Sequence, residues 1–123
     1  MALNGRQALG RAAEDAAAAL LRSQGVAILL RNYRCRIGEL DIIGTLAPDL
    51  LLIVEVRARS RADYGGGAAS VDATKRRHIV RTAQHLLMTH RELRSRRARF
   101  DVIEVQVRDG ALLCNWIKAA FGC

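Results

Sequence analysis

Two acidic residues sit where apolar strands ought to run uninterrupted. Gly38-Glu39-Leu40-Asp41 opens one stretch and, fourteen residues on from Asp41, Glu55-Val56-Arg57 closes another. A carboxylate in a segment that reads as buried must be paired, solvated or bound to a metal, because burying it alone is costly. If the intervening turn is Ala47-Pro48-Asp49, Leu46 faces Leu50. Antiparallel register then sets Asp41 opposite Glu55 and Glu39 opposite Arg57, all on one face. Directly opposed residues have Cβ atoms about 4.5–5.5 Å apart, close enough for two like charges to repel. A divalent cation between them, Mg²⁺ or Mn²⁺, removes the repulsion and uses the oxygen ligands such ions prefer. It could also orient and activate water and hold a phosphate oxygen. The alternative is an internal salt-bridge network of Asp41 and Glu55 with Arg57 or another arginine. A bulge at Gly44 would shift the register.

A third carboxylate comes from the first helix. At 100° per residue Leu9, Ala13, Ala16, Ala17, Leu20 and Leu21 share a face. Glu14 lies at its margin, while Asp15 lies on the far side near Arg11 and Arg22. Glu14 is thus either a site carboxylate or an ordinary rim glutamate. Lys75, by helical angle beside Ile79 and Leu86, is either a site cation or a solvated first-turn lysine. His78 and His85 share the polar side of the same helix and read as solvated. Gly65-Gly66-Gly67 lacks the GK[ST] of a phosphate loop and reads as a flexible loop over the site.

These residues need a scaffold. The spacing predicts a helix from about Gln7 to Ser23, stopped by Gly25, then strands over Val26–Arg34, Glu39–Leu46 and Leu50–Arg57. A loop over 58–70 leads to a second helix, about Val71–His90. Strands over Phe100–Val107 and Ala111–Ile117 follow, joined by Asp109-Gly110. The order αβββαββ is an α/β fold, one domain over residues 1–123, with a mixed central sheet flanked by helices.

Half of the 123 residues are apolar, enough for a core without disulfides. No run reaches the ~20 apolar residues of a membrane span, and the start lacks the apolar region of a secretory leader. Three cysteines with no CxxC spacing argue against a zinc site and a disulfide framework. They favour a reducing compartment, the cytoplasm. Twenty basic against twelve acidic residues give a net charge of +8, which favours an anionic partner. Arg91, Arg94, Arg96, Arg97 and Arg99 form the densest cluster. It is read as a phosphate-contacting surface that does not read sequence, with Arg34 and Arg59 added to it; the alternative is a solvated linker. One tryptophan, two tyrosines and two phenylalanines are too few for a base-stacking platform.

In order along the chain, Gly10 to Glu14, Asn32-Tyr33-Arg34, Gly38-Glu39-Leu40-Asp41-Ile42-Ile43 and Ile53-Val54-Glu55-Val56-Arg57 resemble the YraN family. Lys75, Arg99-Phe100-Asp101-Val102 and Ala120-Phe121 continue the likeness over nearly the whole chain. YraN proteins are predicted bacterial endonucleases of the PD-(D/E)XK superfamily, related to archaeal Holliday-junction resolvases. The resemblance implies a restriction-endonuclease-like core and DNA as partner, branched or single-stranded, with no membrane and with homodimerisation left open. It implies Asp41 and Glu55 as ligands of Mg²⁺ or Mn²⁺, Glu14 as support for metal or water, and Arg57 on the scissile phosphate. Two departures stand out. Ala13 replaces the glycine before Glu14, and Arg57 replaces the family's lysine. Arginine cannot act as a base, although it binds phosphate bidentately, so either activity is reduced, or no lysine is needed, or Lys75 takes the role. The expected function is therefore a metal-dependent, structure-selective DNA endonuclease. The alternatives are a catalytically weakened nucleic-acid-binding module on the same fold, or a basic protein-interaction domain.

Overall fold

The computed structural model describes residues 5–59 and 71–122. The Gly65-Gly66-Gly67 loop and Cys123 lie outside them. Helix α1 spans Gly5–Ser23, followed by strands β1 (Ala27–Arg34), β2 (Glu39–Leu46) and β3 (Leu50–Arg59). Helix α2 (Ala73–Thr89) leads through a short 3₁₀ turn at Arg91–Leu93 to β4 (Arg97–Arg108) and β5 (Ala111–Phe121). The five strands form one sheet in sequence order. Neighbours are antiparallel except β3 and β4, which are parallel. That parallel pair follows from chain economy: α2 carries the chain back between β3 and β4, the crossover a parallel neighbour needs.

The mixed α/β architecture and the element order match the sequence reading. The largest boundary difference is β5, which runs on to Phe121 rather than ending at Ile117; β4 begins at Arg97 rather than Phe100. The sheet is buried on both faces, and its two apolar layers are separate. Ala13, Ala17, Ala18 and Leu21 of α1 pack on Ile42, Leu52, Val54, Ile103 and Val105. Ile79, Ala83 and Leu86 of α2 pack on Leu40, Ile43, Leu51, Ile53, Phe100 and Val102. β3 contributes to both layers, which explains its unbroken apolar run from Leu51 to Val54. Among the described residues no helix is long and apolar enough to cross a membrane.

Local chemistry sets the ends of α2 and the course of β2. Asp72 caps α2, its side chain accepting from the Lys75 N–H at 2.8 Å. Gly44 does not make a bulge. It pairs in register with Leu52, and the irregularity falls between Ile28 and Leu30 in β1. Glycine is needed at 44 for another reason: a Cβ there would meet the Val26 side chain at 2.6 Å and the Ala27 carbonyl at 2.9 Å.

The last strand is held by one carboxylate. The register of β4 with β5 slips between Phe100 and Val102, leaving a bulge that contains Ala119 at φ 51°. Asp101, wholly buried, fills it. One oxygen accepts from the Ala119 N–H at 2.9 Å, the other from Trp116 Nε1 at 2.9 Å. Arg99 binds both oxygens, at 2.9 and 2.8 Å. Phe100 stacks on Phe121, 5.2 Å between centroids. The Arg-Phe-Asp-Val and Ala-Phe motifs thus clasp β5 to β4. Replacing Asp101 by alanine strands a buried guanidinium, an indole N–H and a backbone N–H. The expected loss is about 3–5 kcal/mol of unfolding free energy in urea. Emission of the single tryptophan should shift to the red before global unfolding; an unchanged midpoint would contradict this role for Asp101.

Candidate metal and phosphate site

The β2–β3 ladder runs from Leu46↔Leu50 to Ile42↔Val54. Asp41 and Glu55 are the next residues of that register, where regular pairing ends. The Val56 N–H, which would continue the ladder, donates to Asp41 Oδ2 at 2.8 Å. The carboxylate replaces a backbone acceptor, and strict alternation breaks here. Leu40 and Ile43 both enter the α2-side core, whereas Ile42 enters the α1 side. The expected four-residue face is therefore not formed. Glu39 pairs instead with Arg34, its neighbour across β1, at 3.1 Å.

Glu55 is buried, its side chain 7 % exposed, and it lies close enough to Asp41 to share a hydrogen bond with it. Among the described residues its charge partner is a lysine, not an arginine. Lys75 Nζ reaches Glu55 Oε1 at 2.8 Å from the first turn of α2, with the lysine side chain 42 % exposed. Lys75 is thus not the solvated residue that its position in the first turn allowed. Arg57, two residues beyond Glu55 on the same face of β3, is half-buried.

Burial pushes the Asp41 carboxyl up to about 8, with the Glu55 charge and their shared hydrogen bond adding to the rise. The Val56 N–H opposes it, and Glu14 adds a smaller repulsion.

Asp41 also lines an open cleft of about 740 Å³ against α1 and β1, with Glu14, Arg31, Asn32, Arg34, Glu39 and Val56 among its walls. Glu14 faces this cleft but does not join the other two acids as a free carboxylate. Its Oε1 accepts from Arg31 Nε at 2.9 Å and Asn32 Nδ2 at 3.1 Å. Asp15, expected near Arg11 and Arg22, pairs instead with Arg31 at 2.7 Å. Periodicity along the helix could not find that partner because it lies on β1. Asn32 holds a left-handed φ of 56°, a conformation asparagine tolerates. Arg31 was missed in the sequence, although an arginine after Leu29-Leu30 was a visible signal.

Among the described residues no three or more His, Cys, Asp or Glu side chains gather to hold a metal. The donor set that does exist is a close carboxylate pair, Glu55 buried and Asp41 on the cleft wall, with Lys75 neutralising one side of it. Mg²⁺ is commonly held by one or two carboxylates, completing its shell with water and phosphate oxygens. Asp41 and Glu55 fit that pattern.

The expected arginine surface is dispersed by the fold. Arg99 is spent on Asp101, and Arg96 Nη1 donates to the Leu50 carbonyl at 3.4 Å. Arg97 pairs with Asp49 at 3.2 Å, and Arg94 Nε donates to the Leu87 carbonyl at 2.9 Å. Arg97 stands opposite Leu50, five residues or about 16 Å along β3 from Glu55. Arg59 is mostly buried against Glu104 at 2.8 Å. Arg34 is exposed on the cleft rim, and Arg91 is exposed beyond α2. His85 is not solvated either: its Nδ1 lies 2.6 Å from the Tyr33 hydroxyl.

Residues 13–105 match the model of the uncharacterised protein family UPF0102. A UPF0102 protein of Alcanivorax borkumensis is 42% identical over 120 residues, covering 97% of this chain and 95% of that one. One from Cupriavidus taiwanensis is 45% identical over 116 residues, 94% and 84% of the two chains. One from Pseudomonas aeruginosa is 41% identical over 114 residues, 91% and 90%.

The raised Asp41 carboxyl carries a stability signature. Its folded value lies above its unfolded one, so its contribution is complete below about pH 4 and is lost as pH rises toward 8. Asp41→Asn removes the titration and keeps an oxygen for the Val56 N–H. In EDTA the variant should match wild type near pH 4 and exceed it near pH 8 by on the order of 1–4 kcal/mol. Millimolar Mg²⁺ should narrow the gap. Urea unfolding across pH measures this, and a gap independent of pH would refute it.

Proposed function

The chain belongs to the UPF0102 family, as its YraN-like motifs imply, and from its paired carboxylates we propose that it is a metal-dependent DNA endonuclease. The fold would be of the restriction-endonuclease type, acting in the cytoplasm on branched, flapped or single-stranded DNA. The observation that supports this reading is the buried Asp41–Glu55 pair at the end of the β2–β3 ladder, with the Lys75 ammonium 2.8 Å from Glu55. A structural role alone gives no reason to keep two mutually repelling acids beside a cleft.

Asp41 and Glu55 would hold Mg²⁺ or Mn²⁺. Once bound, such an ion would supply Lewis-acid polarisation of a phosphate oxygen and a more acidic water. The remaining work falls to the chain itself. The Val56 N–H fixes the Asp41 carboxylate in place. Lys75, a three-donor cation on a capped helix, would donate to a phosphate oxygen as water attacks phosphorus and the sugar oxygen departs. This assigns to Lys75 the part that the family's strand lysine would play, and leaves Arg57 as a permanent positive charge on the same face. Arg31 and Asn32 hold Glu14 on the cleft wall, where its charge acts on Asp41. One observation favours a second reading, a binding module with weakened catalysis: three acids do not converge among the described residues.

Cleavage of branched, flapped, single-stranded and duplex DNA under Mg²⁺ and Mn²⁺ separates these readings. Lys75→Ala should lower the single-turnover rate by at least about a hundredfold, the scale of losing one donor at a developing charge. Asp41→Asn should abolish cleavage, and Arg57→Lys should change it little. A large gain for Arg57→Lys with Lys75→Ala unaffected would reassign the lysine role. Absence of cleavage by every form would leave the binding module.

A further inference from the structure

With the Arg94–Arg99 stretch largely tied to the protein's own backbone and acids, the net charge of +8 must be displayed elsewhere. Helix α2 displays much of it. Ala73–Thr89 carries Lys75, Arg76, Arg77 and Arg81 and contains no aspartate or glutamate. Ile79, Thr82, Ala83 and Leu86 are its buried side. At 100° per residue Arg77, Arg81, Gln84 and Met88 fall on the opposite side, and all four are exposed. Arg91 and Arg94 are exposed just past the helix end, where Glu92 is the one acid. Arg94 is anchored there by its bond to the Leu87 carbonyl.

A shallow groove of about 250 Å³ runs beside this ridge, lined by Arg76, Arg77, Val80, Arg81, Gln84 and Gly122. Arg76 is fixed at its edge. Its Nε donates to the Val71 carbonyl at 2.7 Å, and its guanidinium lies 5.6 Å over the Phe121 ring. At the start of the same helix, on the inner side, Lys75 meets Glu55.

We propose that the solvent face of α2, built on Arg77 and Arg81, flanked by Arg76 at the groove edge and continued by Arg91 and Arg94, is a track for the backbone of duplex DNA, leading it to the Asp41–Glu55 end of the sheet. Only the purpose of that track rests on the endonuclease reading. Charge complementarity selects the occupant. The ridge follows the 17-residue helix for about 25 Å, roughly seven base pairs at 3.4 Å each, with its cations in two groups, Arg76–Arg81 near the start and Arg91 and Arg94 just past the end. It has no aromatic anchor of the kind that dominates protein interfaces. Nor, among the described residues, does it offer a ring for stacking single-stranded bases: Tyr33, Phe100, Trp116 and Phe121 are all engaged within the fold. Bonds to phosphate alone position a duplex without reading its sequence.

Anisotropy of a fluorescein-labelled 20-base-pair duplex in EDTA, at 50 to 200 mM salt, tests the track without cleavage. The double variant Arg77→Gln/Arg81→Gln should weaken binding by at least about tenfold at 100 mM salt. It should also flatten the log–log salt slope by about 1.8, or 0.9 for each phosphate no longer neutralised. Arg77→Lys/Arg81→Lys should restore both, with unchanged thermal unfolding showing that the helix is intact. Unchanged affinity of the glutamine double variant overturns the proposal, as does wild-type binding that is absent or indifferent to salt. Polyglutamate of equal charge competing as well as duplex DNA overturns it in favour of an acidic protein. If the double variant loses binding while no metal-dependent cleavage is found, the track stands and the endonuclease reading falls.

Discussion

Two carboxylates share a buried edge where the β2–β3 ladder stops, and their repulsion is the constraint around which the candidate site is arranged. Asp41 gives its oxygen to the Val56 N–H, so it cannot swing into solvent without breaking the end of the ladder. Glu55 beside it is paired with Lys75, whose ammonium comes within 2.8 Å. That lysine reaches because Asp72 caps α2 and starts the helix at the right place. A strand pair, a cap and a crossover helix are thus tied to one electrostatic problem. The protein answers it only in part, since the Asp41 carboxyl is still pushed up to about 8.

Asp101 shows what a fully answered problem looks like. It is more deeply buried than Asp41 and lies on β4, two strands away across β3. Yet it accepts from a bidentate arginine, an indole N–H and a backbone N–H. Burial with every lone pair used builds architecture; burial with like charge left facing like charge leaves affinity for a cation. The motif residues divide along that line. Arg99, Phe100, Asp101 and Phe121 clasp the last strand, whereas Asp41 and Lys75, on either side of the buried Glu55, border open space. The same distinction sorts the arginines: Arg59, Arg96 and Arg99 work inside the fold, and those on α2 face outward.

Much of this was legible in the chain. Alternation, turn residues and the lengths of the apolar runs specify five strands and two helices in order. The three-residue turn at Ala47-Pro48-Asp49 specifies the β2–β3 register, and with it the adjacency of Asp41 and Glu55. These are local properties, set by backbone geometry and by residues within one hairpin or one helical turn. Where a side chain's partner lay on another element, the chain was silent. Helical angles placed Glu14 and Asp15 on their own helix but could not show Arg31 crossing from β1 to hold both. Lys75 read equally well as solvated or as a site residue, because its distance from Glu55 is decided by how α2 crosses the sheet. The densest arginine cluster looked like one surface in sequence, and parallel pairing of β4 with β3 split it between carboxylates, backbone carbonyls and solvent. Local periodicity therefore determined the elements and the paired acids, whereas only the packing of helices on the sheet decided which charges meet and which remain for a partner, because ion pairs form across distances that sequence spacing does not encode.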